Sequence, residues 1–462
     1  MARGRLRISA HYVIAAAPAR AGRMDFGRVG LCRRATAIDR IGSGRRTLLV
    51  WAVCLIALVS ACRRGPAPQT DTPSVPTAPY VGTLPIGFPA PRVPIDNPMS
   101  AAKIELGRHL FYDPRLSGPG TQACATCHRQ ELAFTDGRGR ALGASGELHP
   151  RSAMSLTNVA YSPRLGWSDP SLDSLEAQMR VPLFNETPVE MGLQGRVDEV
   201  MQRLATSEPY PRLFAAAFPG DPAPIQLENV MRAIATFERT LVSGSSAYDR
   251  MLFLDDRSAL SASALRGMRR FFSDELACAR CHSGLHFAGP QAAAPSASQA
   301  AVVVGFEPRD GRESDGTLRA PPLPDATLLQ SALFHNTALY DIDGSGAYPP
   351  PNEGLFRVTR APADMGRFRV PTLRNIAVTA PYMHDGSVAT LEEVIAHYAA
   401  GGRAFRSPLR SPELRGFTLS TTDVEDLVAF LNSLTDEAFL RDPKLADPFA
   451  AKAEAEARAL ER

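Results

Sequence analysis

"CATCH" at residues 124–128 and "CARCH" at residues 278–282 are the stretches that decide the fold of this 462-residue chain. Both have the spacing C-x-x-C-H, in which two thiols bond to a porphyrin and the histidine that follows binds its iron. A zinc site or a redox dithiol is the alternative, but a zinc site of four thiolates does not need a histidine after both pairs. The sequence therefore predicts two covalently bound c-type haems. Their predicted attachment and iron-binding residues are Cys124, Cys127, His128, Cys278, Cys281 and His282.

The other three of the seven cysteines fit an exported protein. Cys32 and Cys54 fall in a basic leader, residues 1–61, whose apolar run "LLVWAVCLIALVSAC" (48–62) is too short to span a bilayer comfortably and ends in small residues. The ending "VSAC" resembles a bacterial lipobox, which predicts cleavage before Cys62 and lipidation of its thiol. Ordinary cleavage that leaves Cys62 unmodified is the alternative. The predicted location is the periplasm, with the lipid as the contact to the membrane.

Charge is divided unevenly between the leader and the rest of the chain. The whole chain has a net charge of +3, while residues 1–61 carry eleven arginines against two aspartates, or +9. The remaining residues therefore carry −6. Such an acidic body argues against nucleic acid as a partner, because phosphate backbones are bound by clusters of Lys and Arg.

The pattern after the leader predicts a mainly α protein with two domains. We expect a Pro-rich tether at 62–96, an N-terminal domain at 97–250, a C-terminal domain at 251–445 with a loop insertion at 288–327, and a helical tail at 446–462. Segments with a helical pattern are "SAAKIELGRHLFYD", "SLEAQM", "VDEVMQRLA", "IQLENVMRAIATFERTL", "SASALRGMRRFF", "TLEEVIAHYAA" and "TDVEDLVAFLNSL". Apart from one cysteine motif in each half, no fine-grained repeat is recognised.

Several long runs of the chain resemble one bacterial superfamily. The runs are "LGRHLFYDPRLS", "CATCH", "LEAQMRVPLFNETPVEMG", "CARCH", "RFRVPTLRNIAVTAPYMHDGSVATLEEV" and "DLVAFLNSLT". They resemble the di-haem cytochrome c peroxidase and MauG superfamily over residues 100–445. The runs "GELHPRSAMSLTNVAYSPRLGW" and "HYAAGG" are most similar to the MauG-like enzymes found beside methanobactin genes. The resemblance implies two cytochrome-c-like domains, with one c-type haem each, facing each other across an interface.

The second face of each haem iron decides function, since two closed faces suit electron transfer and an open face suits peroxide chemistry. The resemblance implies that the first haem is the peroxide-reactive one, with Glu190 above it as an acid–base group and Gln178 and Pro182 completing the pocket. It also implies that Trp167 relays electrons between the haems. On the residues alone, Glu190 is a surface carboxylate and Trp167 a half-buried core aromatic. His149 lies in roughly the loop that closes the first haem at rest in the peroxidases, and the sequence leaves its role open.

The run "EEVIAHYAAGG" (392–402) sets two iron-binding residue types side by side, His397 and Tyr398. Neighbours on a helix point about 100° apart, so the two do not face the same metal. The resemblance implies that Tyr398 is the outer ligand of the second haem. The alternative is a packing role for Tyr398, with Met383 or His397 on the iron. A phenolate oxygen is a hard donor that favours the higher oxidation states of iron.

Further positions follow from the resemblance alone. Arg369 is expected to pair with a haem propionate. The backbone carbonyls of Thr379 and Pro381 are expected to bind one Ca²⁺ between the haems, because calcium takes oxygen ligands. Ser152 stands where the family has an asparagine ligand of that ion.

The function implied is that of an exported haem-dependent peroxidase. Hydrogen peroxide would form a high-valent di-haem state that oxidises a partner protein, with Trp or Tyr residues as the targets. The alternative enzyme is a cytochrome c peroxidase that reduces hydrogen peroxide to water with electrons from a small cytochrome c or cupredoxin. A third reading, a pure electron-transfer cytochrome, has no open haem face. Leu276 stands where MauG has a surface tryptophan, which argues against long-range oxidation by that route.

Overall fold

Helices joined by long loops form most of the fold in the computed structural model, which describes residues 78–289 and 333–450. The main helices are α1 Ala101–Tyr112, α2 Leu175–Phe184, α3 Val197–Ala205, α4 Tyr210–Ala217, α5 Leu227–Glu238, α6 Ala247–Phe253, α7 Ala262–Phe271, α8 Leu391–Ala399 and α9 Thr421–Asn432. Four-residue helices are Cys124–Cys127, Cys278–Cys281, Phe356–Thr359 and Glu437–Leu440. Single 3-10 turns are Pro114–Leu116, Gln130–Leu132, Val159–Tyr161, Pro362–Asp364 and Ile376–Val378. An antiparallel pair joins β1, Phe334–His335, to β2, Phe368–Arg369.

The structure confirms a mainly helical chain. Each of the seven segments with a helical pattern contains a helix, while α4 and α6 were not predicted. The leader, Cys62, most of the tether, residues 290–327 of the insertion and residues 451–462 lie outside the described residues. All described residues belong to one compact unit, and the boundaries between the two haem domains stay a prediction. Within the described part of the chain, every helix is too short or too polar to cross a membrane.

Glycines allow two close helix crossings, one in each half of the chain. In α1, a Cβ at Gly107 would lie 2.0 Å from the carbonyl oxygen of Ala233 in α5. In α7, a Cβ at Gly267 would lie 1.8 Å from the carbonyl oxygen of Asp426 in α9. Any side chain would force the backbones apart, so both crossings require glycine. The α1–α5 pair and the α7–α9 pair are therefore built in the same way.

Phenylalanine rings fill the two crossings with nearly equal geometry. In the first half, the Phe111 ring centroid lies 5.3 Å from that of Phe237 and 6.0 Å from that of Phe134. In the second half, the Phe271 ring centroid lies 5.2 Å from that of Phe430 and 6.0 Å from that of Phe287. Each trio joins the helix pair to the loop that follows a cysteine motif. The packing of the hydrophobic core thus positions both motifs.

A buried polar seam joins the two halves. Asn158 and Asn375 both have a left-handed backbone, with φ of 57° and 60°, and each begins a 3-10 turn. The Oδ1 atom of Asn158 accepts from the Ser243 N–H, and that of Asn375 accepts from the Asp436 N–H, both at 2.7 Å. Asn375 Nδ2 also donates to Ser243 Oγ (3.1 Å), and Ser243 Oγ donates to Asp436 Oδ2 (3.1 Å). Asn158, Asn375, Ser243 and Asp436 therefore find hydrogen-bond partners in one buried network that joins the two halves.

The structure shows a repeat that goes beyond the two cysteine motifs, which are the only repeat recognised in the sequence. At the seam, Asn158 and Asn375 make the same hydrogen bond, so the segments "SAMSLTNVA" (152–160) and "RVPTLRNIA" (369–377) occupy equivalent positions in the two halves. Together with the matched glycines and rings, this is an internal repeat that covers helices, loops and polar contacts. Side-chain identity is low in the repeat because only the backbone geometry and the packing need to be kept.

Candidate haem sites

The two motif histidines are held in the same orientation. Nδ1 of His128 donates to the Phe134 carbonyl (2.8 Å), and Nδ1 of His282 donates to the Phe287 carbonyl (3.0 Å). Both phenylalanines have positive φ, 61° and 52°, which turns these carbonyls toward the rings. An Nδ1–H bonded to a carbonyl leaves Nε2 free to bind metal. Burial lowers the pKa of His128 and lowers that of His282 to about 4, so both imidazoles are in the neutral, metal-binding form.

The motif cysteines are free thiols in partly buried residues. Burial raises the pKa of Cys127 and Cys278 to about 11 and that of Cys281 to about 12, and it also raises the pKa of Cys124. Two unpaired thiols beside an oriented imidazole, repeated once, fit the attachment of two haems.

Arg369 is a buried cation without a counter-charge among the described residues. Its Nε donates to the Gly166 carbonyl (3.0 Å), and a terminal nitrogen lies 3.3 Å from the Met154 sulfur. Burial lowers the pKa of Arg369 to about 10. A buried charge is costly unless an opposite charge compensates it. Arg369 therefore fits an anionic group such as a haem propionate.

Glu190 is held beside α2, the helix that carries Gln178 and Pro182. The Pro182 carbonyl accepts from the Met191 N–H (2.9 Å), which ties the chain after Glu190 back to the helix. Burial, then Asp136 and then Glu190 raise the pKa of the Cys127 thiol, so the Glu190 carboxylate lies within electrostatic reach of the first motif. Gln178 and Pro182 are one helical turn apart and share a face of α2. The structure thus brings the three predicted pocket residues to one region.

His149 contacts Glu190, a pairing that the sequence did not indicate. Its Nε2 lies 3.4 Å from Glu190 Oε1, while its Nδ1 accepts from the Arg151 N–H (3.2 Å). Glu190 Oε1 also accepts from Asn185 Nδ2 (3.2 Å). The Ala144 N–H donates to the Glu190 carbonyl (2.9 Å), so the loop that carries His149 lies directly against the Glu190 segment. In this geometry His149 Nε2 is directed at a carboxylate.

Trp167 lies where the two halves meet. Its Nε1–H donates to the Ser152 carbonyl (2.9 Å), and its own carbonyl accepts from the Arg369 N–H (2.8 Å). The Trp167 and His384 ring centroids are 6.4 Å apart. A half-buried tryptophan in contact with residues of both halves is well placed for electron transfer between them.

Tyr398 and His397 point to different surroundings from α8, which begins after the capping residue Thr390. His397 Nε2 donates to the Thr337 carbonyl (2.8 Å). Tyr398 is half-buried. Removal of its phenol from water raises the pKa of Tyr398, and the thiols of Cys281 and Cys278 add to that rise. The phenol therefore lies with the second cysteine pair, and the imidazole does not share its direction.

Ser152 lies against the segment expected to bind calcium. Its hydroxyl donates to the Met383 carbonyl (3.2 Å), and its N–H donates to the His384 carbonyl (3.0 Å). The Thr379 hydroxyl donates to the Ile376 carbonyl (3.1 Å), which leaves the Thr379 carbonyl as the expected ligand. In the described ranges no three His, Cys, Asp or Glu side chains gather as metal ligands. A site made of backbone oxygens does not need such a group, so calcium stays a prediction.

Asp249 and Arg374 form a buried ion pair that the sequence did not reveal. The Arg374 guanidinium donates to both Asp249 oxygens, at 2.8 and 2.9 Å, and to the Leu285 carbonyl (2.8 Å). Leu285 lies between His282 and Phe287, so the pair fixes the loop behind the second motif histidine. Neither segment carries a pattern that signals the pair, whose residues are 125 positions apart.

Two thiol pairs with oriented histidines, set in two matched helical halves, define a protein of the c-type haem class. Residues 101–257 match the family model for di-haem cytochrome c peroxidase. The methylamine utilization protein MauG of Methylorubrum extorquens is 35% identical over 347 residues, covering 74% of this chain and 81% of that protein. The cytochrome c551 peroxidase of Pseudomonas aeruginosa is 30% identical over 338 residues, covering 73% and 83%.

The structural comparison agrees with the sequence comparison. The crystal structure of a MauG-like protein associated with microbial copper homeostasis is 42% identical and has a TM-score of 0.69, covering 80% of this chain and 100% of that chain. This chain belongs to the di-haem cytochrome c peroxidase family, and it is a haem-dependent oxidoreductase of the peroxidase type. The family predicted from the sequence is confirmed.

Proposed function

We propose that this chain is an exported di-haem peroxidase of the MauG-like branch, which uses hydrogen peroxide to oxidise tryptophan or tyrosine residues of a partner protein. When bound, the two haems supply an iron that reacts with peroxide and a second iron that shares the oxidising equivalents. The observation that carries the proposal is the half-buried Tyr398, whose phenol lies within electrostatic reach of the second cysteine pair. The similarity to the MauG-like protein of copper homeostasis supports the same branch.

Glu190 is the proposed proton carrier at the peroxide-reactive face. A carboxylate there takes a proton from hydrogen peroxide and returns it to the oxygen that leaves as water. Asn185 and His149 hold Glu190 Oε1 from two sides, which fixes the direction of the carboxylate. Gln178 and Pro182, one turn apart on α2, are the other proposed residues of this pocket.

Tyr398 is the proposed ligand that sets the second haem apart. A hard oxygen donor stabilises the ferric state, whereas a thioether would stabilise the ferrous state. A site of this kind loses an electron readily after peroxide has reacted, and it does not need to store one beforehand. Trp167, with contacts to both halves, is the proposed relay for that electron.

The remaining groups have supporting roles in the proposal. Arg369 would compensate a haem propionate. The carbonyls of Thr379 and Pro381, with Ser152, would hold one Ca²⁺ near Trp167, since Ser152 also accepts the indole N–H. Export to the periplasm and anchoring through a lipid on Cys62 complete the proposal.

A conventional peroxidase is the second candidate, and one observation favours it. Leu276, two residues before the second motif, is buried, with 5% of its surface exposed. No oxidisable side chain stands at that position to pass charge outward. The enzyme would then reduce hydrogen peroxide to water with electrons from a small cytochrome c or cupredoxin. A pure electron-transfer cytochrome would have no use for the Glu190 cluster.

Stopped-flow mixing of the fully ferric protein with hydrogen peroxide, without any reductant, separates the two enzymes. The MauG-like enzyme reacts directly, and the spectra of both haems change in the same mixing event. A ferric protein that stays inert, and reacts only after one-electron reduction, would refute the MauG-like function and favour the conventional peroxidase.

A further inference from the structure

We infer that Tyr340 is the point at which oxidising equivalents leave this protein, with Asp385 as the built-in acceptor of the phenolic proton. The inference rests on the proposed function in one respect, because peroxide must first oxidise the haem centre. It names the side chain that a partner protein would meet. The partner would present an electron-rich aromatic residue to Tyr340.

The Tyr340–Asp385 pair has the geometry of a proton-coupled redox site. Tyr340 Oη donates to Asp385 Oδ2 at 2.5 Å, within the range of a charge-assisted hydroxyl–carboxylate hydrogen bond. The other carboxylate oxygen accepts from the Ser387 N–H (3.0 Å), so Asp385 is held in place. Tyr340 is half-buried, with part of its surface open to solvent. One side of the phenol therefore meets the interior and the other is accessible to a partner.

A continuous path leads from Trp167 to this pair. The Trp167 Nε1–H donates to the Ser152 carbonyl (2.9 Å), and the Ser152 N–H donates to the His384 carbonyl (3.0 Å). His384 is bonded to Asp385, which accepts from Tyr340. The path from the indole to the phenol thus consists of three hydrogen bonds and the peptide bond between His384 and Asp385.

Ring contacts give a second path between the same ends. The His384 ring centroid lies 6.4 Å from that of Trp167 and 6.1 Å from that of Tyr340. His384 is fixed by Asn352, whose Oδ1 lies 2.9 Å from Nε2, and by parallel stacking on Phe368 with centroids 3.6 Å apart. The rigid imidazole therefore bridges the two oxidisable rings.

The chemistry balances at each transfer. One electron passes from the Tyr340 ring to the peroxide-oxidised centre through Trp167, and the phenolic proton moves from Oη to Asp385 Oδ2. The product is a neutral tyrosyl radical beside a protonated carboxyl. An aromatic residue of the partner then gives one electron to Tyr340, and the proton returns from Asp385. Two such cycles use both oxidising equivalents of one hydrogen peroxide molecule.

The surface around Tyr340 suits contact with a protein. Ile342, two residues further on, is 67% exposed. The Ala404 N–H donates to the Ala338 carbonyl (2.7 Å), which brings Phe405, 54% exposed, to the same region. Exposed apolar side chains that lie together form the kind of patch that marks protein-binding surfaces. The buried Leu276, by contrast, offers no such exit.

The test is electron paramagnetic resonance of holoprotein frozen shortly after mixing with hydrogen peroxide, with no partner present. Ring-deuterated tyrosine identifies the radical. Wild type is expected to show a tyrosyl signal that Tyr340→Phe loses, while Tyr112→Phe, whose hydroxyl binds the Leu445 carbonyl elsewhere, keeps it. Asp385→Asn, which removes the proton acceptor but keeps a polar side chain, is expected to show a weaker signal. The initial spectral reaction with peroxide should be the same in all four proteins.

The outcomes separate this inference from the function on which it rests. Haem spectra that do not respond to peroxide contradict the proposed function. Spectra that respond normally, with an unchanged tyrosyl signal in Tyr340→Phe, overturn the role of Tyr340. A second experiment tests the Tyr340–Asp385 pair without peroxide. A flash-generated ruthenium oxidant in solution oxidises the protein. A spin-trap adduct on Tyr340, found by peptide mass spectrometry and lost in Asp385→Asn, supports the inference, and its absence from wild type counts against it.

Discussion

Nε2 of His149 lies 3.4 Å from Oε1 of Glu190, and the same oxygen accepts from Asn185 Nδ2 at 3.2 Å. A carboxylate held from two sides keeps one orientation, which a group that exchanges protons with peroxide requires. The pairing also gives the histidine of this loop a partner within the protein. Both residues of the contact can be tested separately.

Glu190→Gln should slow the reaction of the holoprotein with hydrogen peroxide by about 10²-fold, the usual size of the loss of an acid–base group. The amide keeps the size and the hydrogen bonds of the side chain but does not accept the proton. Stopped-flow absorbance at the haem bands measures the rate. Glu186→Gln, an exposed neighbour, is the matched control. An unchanged rate in Glu190→Gln would remove this residue from the mechanism.

His149→Ala should leave the resting spectrum of the first haem unchanged. The imidazole faces Glu190, so its removal takes no ligand from the iron. Electronic absorption and paramagnetic resonance of the ferric protein should show a high-spin haem in both wild type and variant. A low-spin first haem in wild type that becomes high-spin in His149→Ala would show that His149 closes the site at rest.

Replacement of both Cys278 and Cys281 by Ser should release the second haem from covalent attachment. Intact-mass measurement should find two haem additions on wild type and one on the variant, because each motif supplies its own two thiols. The equivalent change at Cys124 and Cys127 should have the same effect on the first haem. Haem that acid acetone extracts from wild type would contradict the prediction.

Tyr398→Met should raise the reduction potential of the second haem by on the order of 100 mV, a fraction of the roughly 0.8 V range that axial ligands control. The thioether stabilises the ferrous state, so the variant should need prior reduction before it reacts well with peroxide. A potentiometric titration followed by absorbance measures the shift. His397→Gln is the control, since His397 binds the Thr337 carbonyl instead. Equal potentials in Tyr398→Met and wild type would exclude Tyr398 as the ligand.

Gly267→Ala should destabilise the protein by about 1–3 kcal/mol, the usual cost of overpacking. The added Cβ would lie 1.8 Å from the Asp426 carbonyl oxygen, so α7 and α9 must separate. Denaturant unfolding measures the change in free energy. Arg269→Ala, at an exposed position of the same helix, should change it by less than about 0.5 kcal/mol. Equal effects of the two substitutions would show that the crossing has room to relax.

Local patterns made much of this structure predictable. The helix that begins after Ser100 follows from short-range rules, since Ser100 is a favoured capping residue and its side chain accepts from the Lys103 N–H. The haem-binding thiols and histidines lie within five consecutive residues of each motif, so their chemistry is visible in the sequence. Helices α4 and α6, of eight and seven residues, are too short for a clear hydrophobic period, and they were missed.

Contacts between distant parts of the chain were not predictable. Tyr340 and Asp385 are 45 positions apart, and Asp249 and Arg374 are 125 apart. Neither pair leaves a pattern in either segment, because a Tyr or an Asp in a loop has many possible partners. The internal repeat did leave a signal, "TNVA" against "RNIA", but it is only four residues long. It becomes convincing only once the two asparagines are seen to make the same bonds.

Ser243 and Asp436 hold equivalent positions in the two halves and also touch each other, so the pair marks the pseudo-two-fold axis between them. A chain of this kind is what duplication and fusion of the gene for a homodimeric ancestor would give. In such a dimer the axis would bring two identical residues together, and two buried aspartates there would repel each other. A serine facing an aspartate removes the repulsion but is possible only when the halves differ. A single fused chain can hold such an asymmetric pair, and its two halves are then free to differ while they remain attached.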